Sequence, residues 1–313
     1  MSLPVTKYPV VCFGEILWDL LPTGKLPGGA PMNVAYHLMK LGLDPALITR
    51  VGEDSNGRNL VRLMETQEMS TEFFQVDFEL PTGTVHAKLD EHCDVTYDIV
   101  RPVAWDNIHW EDGFSDLLKD ASYFVFGSLA ARSHSSRRTL YRLLEIAPSR
   151  VLDINLRPPH YDKQTISKLL EGLHLLKLNL DELDLITGWF SGYRDQRDRV
   201  QALQDRFQIP NVVVTRGGKG ARLNKEGGFY EHPGFSVTLA DTIGAGDAFL
   251  AGLLSQMAGG SDLQRALAFS SALGALVASR TGPCPPYDVS EIDELTINTI
   301  KNEPQVRCPK DRH

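Results

Sequence analysis

Short apolar segments alternate with longer amphipathic ones along most of the chain. Helical periodicity appears in residues 32–41 and 57–64 and in stretches that end near residues 146, 173 and 207. The apolar segments have the length and β-branched content of buried strands; they are residues 10–13, 46–51, 123–126, 151–154, 175–178 and 212–215. This alternation predicts βαβ units, and therefore an α/β fold with a mainly parallel sheet that is covered on both faces.

Residues 82–104 depart from this alternation. Apolar and polar residues alternate with period two on both sides of a turn, which predicts an antiparallel hairpin with one solvated face. With strand material from residues 15–30, the hairpin would form a small sheet standing off the main domain. Such a sheet could act as a lid over a pocket at the carboxyl ends of the parallel strands. A hairpin without that role fits the pattern equally well.

Residues 241–258 combine a glycine-containing loop with an apolar helix. Gly244 and Gly246 precede residues at helical spacing, namely Phe249, Leu250, Leu253, Leu254 and Met257, so a buried helix should start near Gly246. Its free N–H groups would form an anion hole with Asp247 at the edge. The alternative is a glycine turn with Asp247 as the helix cap. Asp241 and Thr242, which add a carboxylate and a hydroxyl, favour the anion hole.

Composition narrows the classes of partner. The chain has 313 residues, of which 42% are hydrophobic and 23% charged, and its net charge of −8 argues against nucleic acid or an anionic membrane as partner. No stretch reaches the about 18 apolar residues of a membrane helix, and no leader segment is evident. The four cysteines lack metal-ligand spacing and suggest free thiols in a reducing compartment. We therefore expect a cytoplasmic protein.

Polar side chains recur where predicted strands end. Asp19 and Asn33 flank a glycine-proline segment and offer the acceptors and donors that sugar hydroxyls need, although a loop carboxylate and a helix cap fit as well. Asp153, Asn155 and Arg157 alternate after a strand and could project together, or be a solvated strand end. A further pair, Asn179 and Glu182, fits either a ligand site or a capping box.

The glycine-rich residues 215–220 follow a strand but match no standard nucleotide motif. They are not a P-loop, because Lys219 is followed by Gly220 rather than by Ser or Thr, and they do not match the dinucleotide fingerprint. A nicotinamide dehydrogenase is therefore disfavoured.

Two motifs carry a family resemblance. The sequence Asp-Thr-Ile-Gly-Ala-Gly-Asp-Ala-Phe from residue 241 resembles the C-terminal signature of the PfkB, or ribokinase-like, sugar kinases. Gly-Gly-Ala-Pro-Met-Asn at 28–33 is similar to the family's sugar-binding motif in its fructokinase-like form; ribokinases carry Gly-Gly-Lys-Gly there. The resemblance runs from residue 10 to about 284. It implies one kinase domain over 1–313, a three-layer α/β/α sandwich with a mainly parallel central sheet, and a β-sheet lid from about 15–30 and 82–104.

The same resemblance implies the reaction and its catalytic residues. The reaction would be phosphorylation of a sugar hydroxyl by ATP with Mg²⁺. The backbone N–H groups of Gly244, Ala245 and Gly246 would bind the γ-phosphoryl group, and Asp247 would accept the hydroxyl proton. We expect the anion hole to keep Asp247 ionised, which would make it a weak base.

The remaining roles also follow from the resemblance. The acceptor sugar would contact Asp19, Gly29, Asn33, Tyr97 and Arg157. ATP would be bordered by Asn179, Thr215, Gly217, Gly220 and Gly246. Asn179 and Glu182 would orient Mg²⁺ largely through water, and Asp241, Thr242 and carbonyls of residues 279–284 would hold K⁺, as in many relatives. A homodimer formed through the lid is compatible with these roles.

Among acceptors D-fructose is favoured. A 2-keto-3-deoxygluconate kinase would carry a cation, usually an arginine two residues after the lid tyrosine, whereas Tyr97 is followed by Asp98 and Ile99. Ribokinase activity and 2-keto-3-deoxygluconate kinase activity remain alternatives. A non-catalytic sugar-binding regulator on the same fold is a further one, and the intact Asp247 and Glu182 argue against it.

Overall fold

The computed structural model describes residues 7–21, 24–89, 95–190, 192, 195–225 and 227–302. A nine-stranded sheet runs through the main body in the order β13-β12-β11-β10-β9-β8-β1-β4-β5. Its strands are β1 (Val10–Phe13), β4 (Pro45–Gly52), β5 (Phe74–Asp77), β8 (Tyr123–Gly127), β9 (Arg150–Asp153), β10 (Leu175–Asn179), β11 (Asn211–Thr215), β12 (Ala221–Lys225) and β13 (Gly228–His232). In this order, each neighbouring pair of strands between β11 and β5 is parallel, and β12 and β13 add an antiparallel edge.

Helices cover both faces of this sheet. They are α1 (Ala30–Lys40), α2 (Ser55–Thr66), α3 (Gly113–Lys119), α4 (His134–Ile146), α5 (Lys163–Leu169), α6 (Leu180–Gly188), α7 (Gln196–Phe207), α8 (Ala245–Ala258), α9 (Leu263–Ala278) and α10 (Val289–Asn302). Residues of α3 to α7 share one core with Val11 and Phe13 of β1, while α1, α2, α8 and α9 share the other with Val10 and Cys12. This is the predicted three-layer α/β/α sandwich.

A separate four-stranded sheet has the order β3-β2-β6-β7. Its strands are β2 (Leu17–Leu21), β3 (Gly24–Gly28), β6 (Gly83–Leu89) and β7 (Val95–Ile99). Strands β6 and β7 pair antiparallel, as the period-two pattern predicts, and β2 joins β6 in parallel. The two segments expected to form the small sheet therefore do so.

The main sheet extends further than the pattern predicts. The strands β5, β12 and β13 are additional, and the helix expected to end near residue 173 ends at Leu169 as α5. Both edge strands lack a continuous apolar signal. In β5 the buried positions are the polar Gln75 and Asp77, and Gln75 donates to the carbonyl of His109 and to Glu111. In β13 the solvated side carries Glu231. Cys12 and Cys284 are free thiols, whereas Cys93 and Cys308 lie outside the described residues. No helix within the described ranges has the length and apolarity that crossing a membrane requires.

Candidate active site

The N-terminus of α8 is shaped by one glycine. Gly244 is the cap residue of α8 and has φ of 77°, in the left-handed region. A Cβ atom at Gly244 would lie 2.5 Å from the Cα of Pro283, so the preceding loop packs directly against residues 279–284. Of the N–H groups expected in the anion hole, that of Ala245 also makes a long bond of 3.3 Å to the carbonyl of Thr242. The helix begins at Ala245, one residue before the predicted start.

Asp247 and Asn33 meet although 214 positions separate them. The amide Nδ2 of Asn33 donates to Oδ2 of Asp247 at 2.7 Å, and both side chains are buried. Asp247 is the third residue of α8 and Asn33 the fourth of α1, whose cap residue is Gly29. The alternative interpretation of both side chains as helix caps is therefore wrong. Instead, the packing of α1 on α8 joins the predicted sugar-side amide to the predicted base.

The protonation of Asp247 differs from the expectation. Burial, the largest cause, and the carboxylate of Asp153 raise the pKa of Asp247 to about 7. Lys177, the amide of Asn33 and Arg157 lower the pKa, but they do not offset the loss of hydration. In this structure the carboxyl group is therefore a stronger base than the helix N-terminus alone would make it.

Lys177 is the residue that sequence reasoning missed. Its Nζ lies 2.5 Å from Oδ2 of Asp153, and both side chains are buried. The same Nζ lies 3.2 Å from the position that a Cβ of Gly246 would take. Burial lowers the pKa of Lys177, but the carboxylates of Asp153 and Asp247 raise it by more, so the group stays charged. The signal available in the sequence was a lysine inside an apolar strand. The structure explains that lysine, because Lys177 pairs with Asp153 of β9 in the register of the sheet.

The predicted sugar-side residues lie where the small sheet meets α1. Asp19 is in β2, and burial raises its pKa to about 6, while Arg157 lowers it and Asp241 raises it. Gly29 has φ of 116°, and a Cβ there would lie 2.3 Å from the backbone oxygen of Glu15. The exposed Arg157 lowers the pKa of both Asp19 and Asp247 and so lies within electrostatic range of both.

The backbone of Tyr97 lies in β7, where it pairs with Ala87 of β6. Its side chain lies outside the described residues, so its predicted contact with the sugar remains a prediction.

Asn179 and Glu182 form the capping box that was one of the two interpretations. Asn179 Oδ1 accepts from the N–H of Glu182 at 2.9 Å, and Glu182 Oε2 accepts from the N–H of Asn179 at 2.8 Å. Glu182 Oε1 accepts from the N–H of Leu156 at 2.8 Å. Burial raises the pKa of Glu182, and Asp153 raises it further. Both carboxylate oxygens thus have backbone donors and keep only their remaining lone pairs for other contacts.

The donor set fits a weakly protein-bound Mg²⁺. Across the described ranges, no group of three or more His, Cys, Asp or Glu residues could hold a metal ion. Mg²⁺ keeps several waters and commonly binds one or two carboxylates together with substrate phosphates. Glu182 and Asn179 suit that mode, because they could reach the ion through water without losing the cap.

The residues predicted to border ATP differ in their surroundings. Thr215 ends β11 directly opposite Asn179 on β10, so these two side chains share one sheet edge. Gly217 has φ of 57°, with open space around its Cβ position. A Cβ at Gly220 would lie 2.0 Å from the backbone oxygen of His232, so packing against residues 232–234 already explains that glycine.

Asp241 connects the two loops that were predicted to enclose a monovalent cation. Its Oδ1 accepts from the N–H of Ile243 at 3.0 Å and its Oδ2 from the N–H of Gly282 at 3.1 Å. Thr242 is exposed beside it. The structure therefore brings Asp241 to residues 279–284, as predicted, while its role as a cation ligand remains a prediction.

The family model that matches the chain and the two known proteins compared with it below all describe carbohydrate kinases. Residues 17–289 match the model of the pfkB family carbohydrate kinases. The chain is 33% identical to a fructokinase of Klebsiella pneumoniae, over 78% of this chain and 83% of that protein. It is 30% identical to a fructokinase of Salmonella typhimurium, over 86% of this chain and 92% of that one.

Solved structures of similar fold agree. A fructokinase from Xylella fastidiosa with bound ATP superposes with a TM-score of 0.83 at 23% identity, covering 94% of this chain and all of that one. A Vibrio cholerae fructokinase in a form bound to fructose, ADP and calcium ion superposes with a TM-score of 0.78 at 25% identity, covering 93% of this chain and 99% of that one. The fold is therefore the ribokinase-like one.

Proposed function

The chain belongs to the pfkB family of carbohydrate kinases, and from this membership we propose that it transfers the γ-phosphoryl group of ATP to a hydroxyl of D-fructose. The observation that carries the proposal is the 2.7 Å hydrogen bond between Asn33 and Asp247. It joins the amide that is predicted to bind the sugar to the buried carboxyl group that is predicted to be the base, at the N-terminus of α8.

On the acceptor side, Asp247 would take the proton from the attacking hydroxyl. Its pKa of about 7 keeps the ionised form available near neutral pH and makes it a better proton acceptor than an ordinary aspartate. Asn33 holds the Oδ2 atom in place, which leaves Oδ1 for the hydroxyl. Asp19 and the backbone at Gly29 would orient the rest of the sugar.

On the phosphoryl side, positive charge converges on one point. The N-terminus of α8 offers backbone N–H groups and the positive end of its dipole, and the ammonium of Lys177 lies beside Gly246. Phosphoryl transfer depends mainly on positioning and charge stabilisation, which this arrangement supplies. Mg²⁺, oriented by Glu182 and Asn179, would neutralise charge on the phosphates.

The choice of D-fructose rests on charge and on relatives. The partly buried Asp19 and the buried Asp247 are carboxyl groups on the predicted sugar side, which suits a neutral sugar better than a sugar acid. The relatives named above are fructokinases. The motif at 28–33 lacks the lysine of ribokinases.

The direct test measures ATP turnover with four acceptors under saturating Mg-ATP. We expect D-fructose to give a higher kcat/KM than ribose, 2-keto-3-deoxygluconate or adenosine. A site built from hydroxyl-binding groups rejects analogues that lack the matching hydroxyls. Asp19→Ala should abolish this preference. A preference for the keto acid would contradict the assignment and would point to Arg157 as the carboxylate partner. Absence of turnover with every acceptor would favour a sugar-binding regulator.

We also propose that K⁺ supports the reaction from the loops joined by Asp241. Carbonyl groups of residues 279–284, with Asp241 and Thr242, would hold the ion beside the anion hole. Rates should be higher in K⁺ than in Na⁺ or a bulky organic cation at equal ionic strength. Equal rates in all three salts would contradict the proposal. They would indicate that protein contacts alone hold these loops, with Pro283 and Pro285 stiffening the second one.

We further propose that the small sheet is the lid of a single kinase domain, that a homodimer forms through this lid, and that the protein is cytoplasmic. An exposed edge strand presents unpaired N–H and C=O groups with which a second copy can pair. Sedimentation velocity at several protein concentrations tests the dimer, and a monomer throughout would contradict it. Fluorescence imaging of the tagged chain tests the compartment, and signal confined to an organelle would contradict a cytoplasmic location.

A further inference from the structure

The small sheet rests on the main body at the first turn of α2. Trp18 of β2 donates its indole N–H to the backbone oxygen of Asn56 at 3.1 Å. Lys25 of β3 donates to the side-chain oxygen of the same asparagine at 3.3 Å, and its ammonium lies 4.4 Å from the centre of the Trp18 ring. Two strands of the small sheet thus meet α2 at a single residue.

A further set of bonds holds the segment that enters β6. Asp54 caps α2 by accepting from the N–H of Gly57 at 2.7 Å, and the N–H of Thr82 donates to its other carboxylate oxygen at 2.8 Å. The hydroxyl of Thr82 donates to Asp54 at 2.8 Å and accepts from the N–H of Gly52 at 3.0 Å. We call residues 52–57, which receive all these contacts, the lid seat.

The backbone around these bonds is closely packed. A Cβ atom at Gly52 would lie 2.6 Å from the backbone nitrogen of Thr82, and one at Gly57 would lie 2.8 Å from the hydroxyl oxygen of Thr82. Strand β2 pairs in parallel with β6, directly after Thr82. The bonds of Trp18 and Thr82 therefore hold one continuous piece of sheet at two points.

This piece of sheet carries the predicted sugar-side carboxylate. Trp18 and Asp19 are consecutive in β2, so their side chains point to opposite faces of the small sheet. Trp18 is buried in the core that α1 and α2 share with one face of the main sheet. Asp19 lies over Gly28, where a Cβ atom would be 2.2 Å from its Oδ2. A shift of Trp18 along α2 would therefore displace the carboxylate of Asp19.

We propose that Trp18 is a positioning residue for the acceptor sugar: its bond to the lid seat, together with the bonds of Thr82, holds Asp19 where the sugar binds. The inference rests on the proposed function, which assigns Asp19 to the acceptor. A misplacement of about 1 Å can cost about 10²-fold in rate, so a tryptophan on the opposite face from the sugar can still control the reaction. Because Trp18 acts only through Asp19, the effect of changing Trp18 should vanish once Asp19 is removed.

The test is a double-mutant cycle of Trp18→Phe and Asp19→Ala, measured by calorimetry with D-fructose and by kinetics under saturating Mg-ATP. Trp18→Phe keeps an aromatic ring but loses the indole N–H. We expect the Kd and KM for fructose to rise about three- to tenfold, the usual worth of one hydrogen bond, with the KM for ATP unchanged. In the Asp19→Ala chain, Trp18→Phe should have no further effect. Trp189→Phe, next to the end of α6, is the control and should keep the wild-type values.

Thr82→Val provides a second variant, because it removes the hydroxyl that bonds to Asp54 and Gly52. It should raise the KM for fructose and leave that for ATP unchanged. A merely structural role would instead lower the amount of active protein and leave both KM values as in the wild type.

Two outcomes overturn the proposal. One is that Trp18→Phe weakens fructose binding by the same factor with and without Asp19; the other is that folded Trp18→Phe and Thr82→Val chains bind fructose as the wild type does. A wild-type chain that binds and phosphorylates a different sugar rejects only the proposed acceptor, and the same cycle with that sugar then decides the role of Trp18. A wild-type chain that binds no sugar rejects the proposed function and the inference together.

Discussion

At the scale of single residues, catalysis would depend on a buried set of opposite charges. Asp153 and Lys177 neutralise one another at 2.5 Å, and Asp247 lies within range of both. A buried ion pair is costly unless its groups are fully bonded, so such a pair is poor evidence of a role in stability. Its position beside Gly246, where the phosphoryl group is expected, gives the lysine a functional explanation instead.

Replacing the base should separate binding from chemistry. Asp247→Asn should lower turnover by about 10²-fold or more with ATP binding nearly intact, because a positioned base contributes about that much. In the wild type, kcat/KM should rise with pH through about 7, since the ionised form of Asp247 is the base and its pKa is raised to about 7. The variant should lack this rise.

Steady-state rates from pH 5.5 to 8.5 and ATP titration calorimetry provide the measurement. Asp44→Asn, at an exposed position, is the control. Near-normal turnover in a folded Asp247→Asn chain would exclude this carboxyl as the base.

At the scale of elements, the site depends on where helices begin. The α8 start requires a left-handed residue at Gly244, in contact with Pro283. The α6 start is closed by the box of Asn179 and Glu182. In both cases the residue that starts the helix also borders the predicted ATP site, so a helix-capping role and a ligand role are compatible in one residue.

Two glycines with nearly equal φ, Gly244 at 77° and Gly227 at 79°, allow a matched test of the α8 start. Gly244→Ala should lower turnover at least about tenfold and destabilise the protein by more than the roughly 1–2 kcal/mol of left-handed strain, because its Cβ would overlap the backbone of Pro283. Gly227 has φ of 79° with open space around its Cβ position, so Gly227→Ala should cost only the strain and keep activity. Urea unfolding and kinetics measure both; equal losses in the two variants would show that backbone strain alone matters.

At the scale of the whole molecule, α1 connects the acceptor side to the C-terminal region. His37 is buried, and its two ring nitrogens contact the carbonyl of Pro283 at 2.9 Å and the hydroxyl of Tyr287 at 3.0 Å. A carbonyl only accepts, so Nε2 carries the proton and Nδ1 accepts from the tyrosine. Cys284 Sγ adds a contact of 3.5 Å with Asn33. The loop of residues 283–287, behind the start of α8, is thus attached to the helix that carries Asn33.

This attachment should be sensitive to acid. Burial lowers the pKa of His37 to about 4, while the carbonyl of Pro283 raises it. Above the unfolded-state value of about 6.5 the histidine is neutral in both states; as pH falls from 6.5 to 4 only the unfolded chain gains the proton, so stability is lost. The loss should reach about 3 kcal/mol, on the scale of 1.36 kcal/mol per pKa unit.

The difference between the wild type and His37→Gln isolates this effect. Glu15 and Asp247, whose pKa values are raised, act in the opposite direction, but they cancel in the difference because both chains contain them. Urea unfolding at pH 4.5, 5.5 and 7.0 gives the free energies, with the exposed His134→Gln as control. An unchanged pH dependence in His37→Gln would show that His37 does not titrate on unfolding.

By itself, the sequence determined only the local features of the structure. Short apolar runs specified the parallel strands, because a strand buried on both faces needs apolar residues throughout, and the period of two specified the hairpin, because only one of its faces is buried. Gly244 and Gly246 marked the start of α8, where the anion hole is predicted, and the left-handed conformation of Gly244 is one that glycine adopts readily by itself. Only the tertiary structure decided which distant groups meet. Asn33 bonds to Asp247, and Lys177 to Asp153, through the packing of helices and strands far apart in the chain. The pKa of Asp247 was decided there too, because burial and neighbouring charge depend on the whole fold and not on the motif that contains the residue.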